Sequence, residues 1–160
     1  MFDFLKKKNA KKDEFYAFAE GKLVSLDKVP DPVFAEKMMG DGFAIELTDG
    51  KIHAPVDGEV TLVFPTGHAY GITTDNAHEV LIHIGIDTVE LDGEGFDVKV
   101  KQGDKVKQGD VLVEVDLDFI KEKGKPTITP MIFTSGQQIE LLKADEDVTV
   151  STTGLFEFKE

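Results

Sequence analysis

His83 lies in the run Glu79-Val80-Leu81-Ile82-His83-Ile84-Gly85-Ile86-Asp87, and His68 lies in Phe64-Pro65-Thr66-Gly67-His68-Ala69-Tyr70-Gly71-Ile72. An imidazole can serve as nucleophile, proton shuttle or hydrogen-bond donor near neutral pH. The first run is rich in β-branched residues and reads as a strand. Alternation puts Val80, Ile82, Ile84 and Ile86 on one face and Leu81, His83, Gly85 and Asp87 on the other. In the second run Phe64, Thr66, His68 and Tyr70 share the even positions. Between the two runs, Thr74-Asp75-Asn76-Ala77 has turn-forming composition. A hairpin centred between Asp75 and Asn76 sets His68 directly across from His83, Tyr70 across from Leu81, Thr66 across from Gly85 and Phe64 across from Asp87. Directly opposed Cβ atoms are about 4.5–5.5 Å apart, so the rings can touch. A one-residue slip destroys that pairing. On geometry alone the pair is either a working site or an idle surface pair.

The rest of the chain must build the scaffold that holds these rings. From about Phe15 it reads as short strands separated by Gly, Pro and Asp: 15–19, 21–25, 43–47, 51–53, 58–63, 69–73, 79–86, 96–100, 111–115, 128–133, 148–150 and 154–159. Such spacing predicts an all-β fold, an antiparallel β-sandwich or barrel. Helical signal is confined to short turns at 32–37, where Asp31 is a plausible N-cap, and at 117–122 and 140–142. The segment Gly40-Asp41-Gly42-Phe43-Ala44-Ile45-Glu46 is echoed by Gly109-Asp110-Val111-Leu112-Val113-Glu114, which suggests a duplicated β-motif. Two stretches are expected: a flexible basic segment over 1–14 and one domain over 15–160.

Composition narrows the function classes. The chain has 160 residues, enough to bury roughly 70% of its unfolded surface. It has no cysteine, which excludes disulfides, zinc-thiolate sites and thiol catalysis and fits a reducing cytoplasm. A net charge of -13 argues against nucleic-acid binding. No apolar run approaches the ~20 residues of a membrane span. Residues 1–12 carry Phe2, Phe4 and Leu5 beside Lys6, Lys7, Lys8, Lys11 and Lys12, so they form either a disordered tail or a weak membrane-surface contact.

Several blocks converge on one family. They are Pro30-Asp31-Pro32-Val33-Phe34-Ala35-Glu36-Lys37-Met38-Met39-Gly40-Asp41-Gly42, Ala54-Pro55-Val56-Asp57-Gly58, Thr66-Gly67-His68-Ala69-Tyr70, and Leu81 through Asp87 followed by Thr88-Val89-Glu90-Leu91-Asp92-Gly93-Glu94-Gly95-Phe96. Together they resemble the glucose-family IIA domain of the bacterial phosphoenolpyruvate-dependent sugar phosphotransferase system, over residues 15–160. The resemblance implies a cytoplasmic phosphocarrier that needs no cofactor. It implies phospho-HPr as donor and a cysteine of a IIB domain as acceptor, with regulatory target proteins as possible further partners. By motif His83 corresponds to the phosphorylated histidine and His68 to its partner. Thr66 corresponds to the residue orienting His68, and Gly85 to the carbonyl holding Nδ1–H of His83. Asp31 and Asp87 correspond to carboxylates that engage an arginine of HPr. Val33, Phe34, Met38, Met39, Phe64, Leu81 and Val89 correspond to an apolar rim, with Tyr70 near it by the hairpin register. For each rim residue, core packing is the competing reading. No metal is required, although His68 and His83 can hold an incidental zinc. The absence of cysteine excludes an internal IIB acceptor, and the chain reads as a freestanding IIA protein.

A rival reading is a biotinyl- or lipoyl-carrier domain, suggested by the flanks Ala54–Val60 and Val106–Leu112. No modifiable lysine in a Met-Lys-Met or Asp-Lys-Ala type tripeptide lies between those flanks. His53 and His78 share no motif with the pair and are given no role.

Overall fold

The computed structural model describes residues 12–159. Thirteen strands lie among the described residues: β1 (Gly21–Ser25), β2 (Gly42–Leu47), β3 (Lys51–His53), β4 (Gly58–Val63), β5 (Ala69–Thr73), β6 (Glu79–His83), β7 (Phe96–Val98), β8 (Lys105–Val106), β9 (Val111–Val115), β10 (Ile128–Phe133), β11 (Ile139–Leu141), β12 (Asp147–Val148) and β13 (Phe156–Phe158). Two short helices, α1 (Pro32–Ala35) and α2 (Leu117–Glu122), and two 3-10 turns, Leu26–Lys28 and Thr88–Leu91, complete them. The all-β expectation holds.

The main sheet has eight strands in the order β12-β1-β2-β10-β6-β5-β4-β8. Separate sheets are β3-β9-β7 and β11-β13. Neighbouring strands run antiparallel throughout. The two echoed Gly-Asp segments lead into β2 and β9, and each of these strands is flanked on both sides within its own sheet.

One large apolar cluster fills the space between the sheets. It joins Phe18, Phe43, Ile45, Ile52, Tyr70, Ile72, Val80, Ile82, Ile84, Leu112, Val113, Met131 and Phe133. A second cluster lies on the other face of the main sheet, where Leu81, Ala69, Ala44, Ile132, Ile128 and Ile86 meet Leu26, Val29 and Phe34. Each fully buried Leu, Ile or Phe contributes roughly 1.5–3 kcal/mol from its removal from water. The even face of β6 therefore faces the main core, as alternation requires. Its odd face is not bare: the 26–35 segment covers part of it.

The β5–β6 hairpin departs from the expected register. Ala69, Tyr70, Gly71, Ile72 and Thr73 pair with His83, Ile82, Leu81, Val80 and Glu79. The expected centre between Asp75 and Asn76 is displaced because the loop holds three residues. Thr74 N–H donates to His78 O at 2.9 Å, Ala77 N–H donates to Thr74 O at 3.0 Å, and Ala77 takes φ +67°. A turn closed by one left-handed residue is a favoured three-residue hairpin connection. Tyr70 is consequently fully buried across from Ile82 and is not a surface contact.

Other departures are local. The 15–19 segment joins no ladder: Tyr16 N–H donates to Pro55 O and Ala17 N–H to Thr152 O. β6 ends at His83 rather than Ile86, because Gly85 and Asp87 take φ +70° and +60°. Residues 139–141, expected in part as a helical turn, pair with β13. The packed body starts before Phe15: Asp13 accepts hydrogen bonds from Thr74 Oγ1 (2.5 Å) and Asn76 Nδ2 (2.9 Å), and its Oδ2 lies 2.6 Å from His78 Nδ1. The proposed membrane contact through residues 1–12 falls almost wholly on residues 1–11, outside the described residues.

Candidate functional site

His83 is the last residue of β6, so the main sheet fixes its backbone. Its Nδ1 lies 2.8 Å from the carbonyl oxygen of Gly85. A carbonyl only accepts, so Nδ1 carries the proton and the neutral ring keeps its lone pair on Nε2. That contact needs the chain to double back within two residues, and Gly85 does so at φ +70°. A Cβ there would lie 2.7 Å from Thr88 Cγ2 and 2.8 Å from Pro126 O, so only glycine fits.

His68 reaches the same place by another route. It precedes β5 in a bend rather than standing in the ladder. Gly67, at φ +71°, turns the chain, and its N–H donates to Phe64 O at 2.7 Å. A residue outside the pleat is freed from strand alternation. The His68 carbonyl still accepts from Ile84 N–H at 2.7 Å, which ties the bend to the end of β6. The two imidazoles therefore meet despite the shifted register. Their centroids are 5.0 Å apart, with planes at 80°. The two rings expected to touch do meet, but not through the strand pairing expected of the hairpin.

Thr66 Oγ1 lies 2.6 Å from His68 Nδ1. Phe64 stands edge-on to His68 at 5.1 Å between centroids, and Phe34 packs on His83 at 5.1 Å. His68 is almost completely buried, whereas His83 is partly open. Burial first, and then the proximity of His83, push the His68 pKa down to about 4. Burial also lowers that of His83. The Gly85 carbonyl, Asp31 and Asp87 act in the opposite direction. Both rings are thus held neutral around pH 7, as a nitrogen nucleophile requires.

The apolar residues divide by exposure. Phe34 and Leu81 are buried and form the floor. Val33, Met38, Met39 and Val89 are exposed, and Phe64 is half-buried. Asp31 caps α1 by accepting from Val33 N–H at 2.9 Å, with Pro32 at the first helical position. The helix thereby fixes Phe34 against His83. Met38 N–H donates to Val33 O at 3.0 Å, which folds the Met38-Met39 segment back onto the helix. Asp87 is exposed at the start of the Thr88–Leu91 turn.

The supports of this loop are not legible in the sequence. Thr88 and Thr129 are fully buried, and both hydroxyls bond the backbone beside His83. Thr88 opens a turn and Thr129 lies within β10, where Thr is ordinary, so neither carries a distinctive sequence signal. Among the described residues no group of three or more His, Asp and Glu side chains is placed to hold a metal ion. A zinc on His68 and His83 would need a ligand from elsewhere. His53 and His78 stand apart from the pair. His53 Nδ1 lies 2.8 Å from Gly109 O, and His78 stacks on Phe158 at 4.8 Å. Among the described residues no helix is long and apolar enough to cross a membrane.

Comparison with known proteins places the chain in a family. Residues 13–139 match the family model described as phosphoenolpyruvate-dependent sugar phosphotransferase system, EIIA 1. A glucose-specific EIIA component from Halalkalibacterium halodurans is 53% identical over 128 residues, which cover 80% of this chain and 74% of that protein. A glucose-specific EIICBA component from Streptococcus pneumoniae is 51% identical over 134 residues. The match spans 84% of this chain but only 18% of that larger protein. The glucose permease IIA from Mycoplasma capricolum superposes with a TM-score of 0.82 at 42% identity, covering 92% of this chain and 96% of that one. The chain belongs to the EIIA 1 family of the phosphoenolpyruvate-dependent sugar phosphotransferase system.

Proposed function

We propose that this chain accepts a phosphoryl group from phospho-HPr on Nε2 of His83 and passes it to a cysteine of a sugar-permease IIB domain. The observation that carries this reading is the 2.8 Å contact between His83 Nδ1 and Gly85 O. It leaves the lone pair on Nε2 of a neutral, partly open ring.

In the first step that lone pair forms a P–N bond as the donor's P–N bond breaks, and the electron pair of the broken bond returns to the donor imidazole. His83 keeps its Nδ1 proton and gains positive charge, which the Gly85 carbonyl dipole stabilises. In the second step a thiolate attacks phosphorus and the electron pair returns to Nε2. A ring that retains its Nδ1 proton leaves as neutral imidazole, so the stored group stays transferable. His68, with Thr66 Oγ1 donating to its Nδ1, holds its own proton on Nε2 and can donate to a phosphoryl oxygen. Such transfers depend on alignment and charge stabilisation more than on new covalent chemistry.

Asp31 and Asp87 are assigned to docking a donor arginine. Val33, Met38, Met39, Phe64 and Val89 are assigned to the partner contact that keeps water off the P–N bond. Adjacent methionines suit a face that must fit two different partners. The names of the relatives support a glucose-class permease as acceptor, and cytoplasmic residence follows from these partners.

The test is incubation with phosphoenolpyruvate, Enzyme I and HPr, followed by phosphopeptide mapping. The expected label sits on the peptide containing His83 and is lost in His83→Gln. His68→Gln should still accept phosphate but pass it on about 10²-fold more slowly. Label on any other residue overturns the assignment.

A further inference from the structure

The loop after His83 is held by residues that touch neither reacting ring. Two successive peptide planes follow Ile84, and all four of their polar atoms are bonded. In the first plane, Thr88 Oγ1 donates to the Ile84 carbonyl at 2.5 Å and Gly85 N–H donates to Thr129 Oγ1 at 3.2 Å. In the second plane, the Gly85 carbonyl accepts from His83 Nδ1 and Ile86 N–H donates to Pro126 O at 3.1 Å. The Thr129 hydroxyl proton goes to Thr127 O at 3.0 Å, so that oxygen is oriented to accept from Gly85. Thr129 is fully buried in β10, 44 positions from Gly85 in sequence.

We propose that Thr129 is a positioning residue for phosphoryl transfer, its buried hydroxyl anchoring the Gly85 peptide so that the adjacent carbonyl holds the proton of His83 on Nδ1. The inference rests on the phosphocarrier reading for its kinetic consequence, but not for its structural one.

A glycine in the left-handed region has no side chain to hold its peptide orientation. The direction of the Gly85 carbonyl is therefore set by Ile86 N–H on Pro126 O in its own plane together with whatever fixes the preceding plane. Thr129 and Thr88 do so from opposite ends. Without the Thr129 hydroxyl, Gly85 N–H is a buried donor without its partner, and the peptide gains by rotating toward another acceptor. That rotation swings the following carbonyl away from Nδ1. The His83 ring is then free to place its proton on Nε2, the tautomer in which Nε2 has no lone pair for attack on phosphorus.

The experiment compares Thr129→Val, which keeps the shape, with Thr129→Ser, which keeps the hydroxyl. The first readout is the 15N NMR spectrum of the His83 ring in the unphosphorylated protein. Wild type and Thr129→Ser should show a single Nδ1–H tautomer, and Thr129→Val a mixture. The second readout is phosphorylation by phospho-HPr: Thr129→Val should be about tenfold slower, with Thr129→Ser within a factor of about two of wild type. If Thr129→Val does not fold, Thr129→Ala takes its place with the same expectations. A pure Nδ1–H tautomer and unchanged transfer in the hydroxyl-free variant overturn the proposal. A tautomer shift in a protein whose wild type accepts no phosphate would uphold the positioning role and overturn the phosphocarrier reading instead.

Discussion

Phe34 packs its ring on His83 at 5.1 Å, and the same helical turn that carries it is capped by Asp31. One four-residue helix thus supplies part of the floor of the site and places a carboxylate beside it. Asp31 and Asp87 both raise the pKa of His83 against the effect of burial. Converting either to asparagine should move the His83 titration further down, readable from its ring-proton shifts against pH. Asp31→Asn preserves the cap, whereas Asp31→Ala should also cost about 1 kcal/mol of stability. Asp87 caps nothing through its side chain. Asp87→Asn should therefore slow transfer from phospho-HPr with little change in the urea midpoint. Unchanged kinetics would remove it from the docking surface.

Gly85 permits a test of the carbonyl itself. Gly85→Ala places a Cβ against Thr88 and Pro126 O in a left-handed conformation. Strain of this kind costs about 1–3 kcal/mol. The variant should lose that much stability in urea unfolding, and its phosphorylation by phospho-HPr should fall by at least about tenfold. A variant of native stability and native rate would show that the carbonyl contact is dispensable.

What could be read from the sequence depended on which physical rule governed each residue. The β-branched run at 79–83 alternates because one face of β6 meets the main core, so its existence and its inward residues were legible. The cap at Asp31 was legible because Asp is favoured at the N-cap and Pro at the first helical position. The hairpin register was not, because it hangs on Ala77 adopting a conformation that alanine rarely takes. The floor positions of Phe34 and Leu81 were hidden for another reason. Alternation predicts which side of a strand a residue faces, not whether another segment covers that side. The 26–35 segment does so here. Thr129 escaped notice because its partner is a backbone amide 44 positions away.

Tyr70 gives a prediction from the core. It is fully buried, and its hydroxyl has no hydrogen-bond partner among the described residues. Burial raises its pKa well above the usual phenol range, so it stays neutral. An unpaired buried hydroxyl is a net cost of about 1–3 kcal/mol, whereas the ring itself packs well. Tyr70→Phe should be neutral or more stable by about 1 kcal/mol, measured as a higher urea midpoint. Marked destabilisation would mean that the hydroxyl has a partner.

The two histidines also fix a pH dependence. His68 has a pKa of about 4 in the folded protein, against an ordinary value of 6.5. Well above pH 6.5 the ring is neutral in both states and its contribution to folding is at its full value. As pH falls from 6.5 toward 4, the unfolded chain takes up a proton that the folded one does not. Stability is lost over that window, and the loss levels off below pH 4 at about 3 kcal/mol. His68→Gln cannot titrate, so the difference in unfolding free energy between pH 7 and pH 4.5 should be smaller in the variant than in wild type. His83, whose pKa is also lowered, adds a slope of the same sign that remains in His68→Gln. Phosphoryl acceptance should behave alike: flat above the ordinary histidine value, and falling only once acid protonates Nε2 of His83. Equal acid slopes in the two proteins would show that His68 is not held neutral by its surroundings.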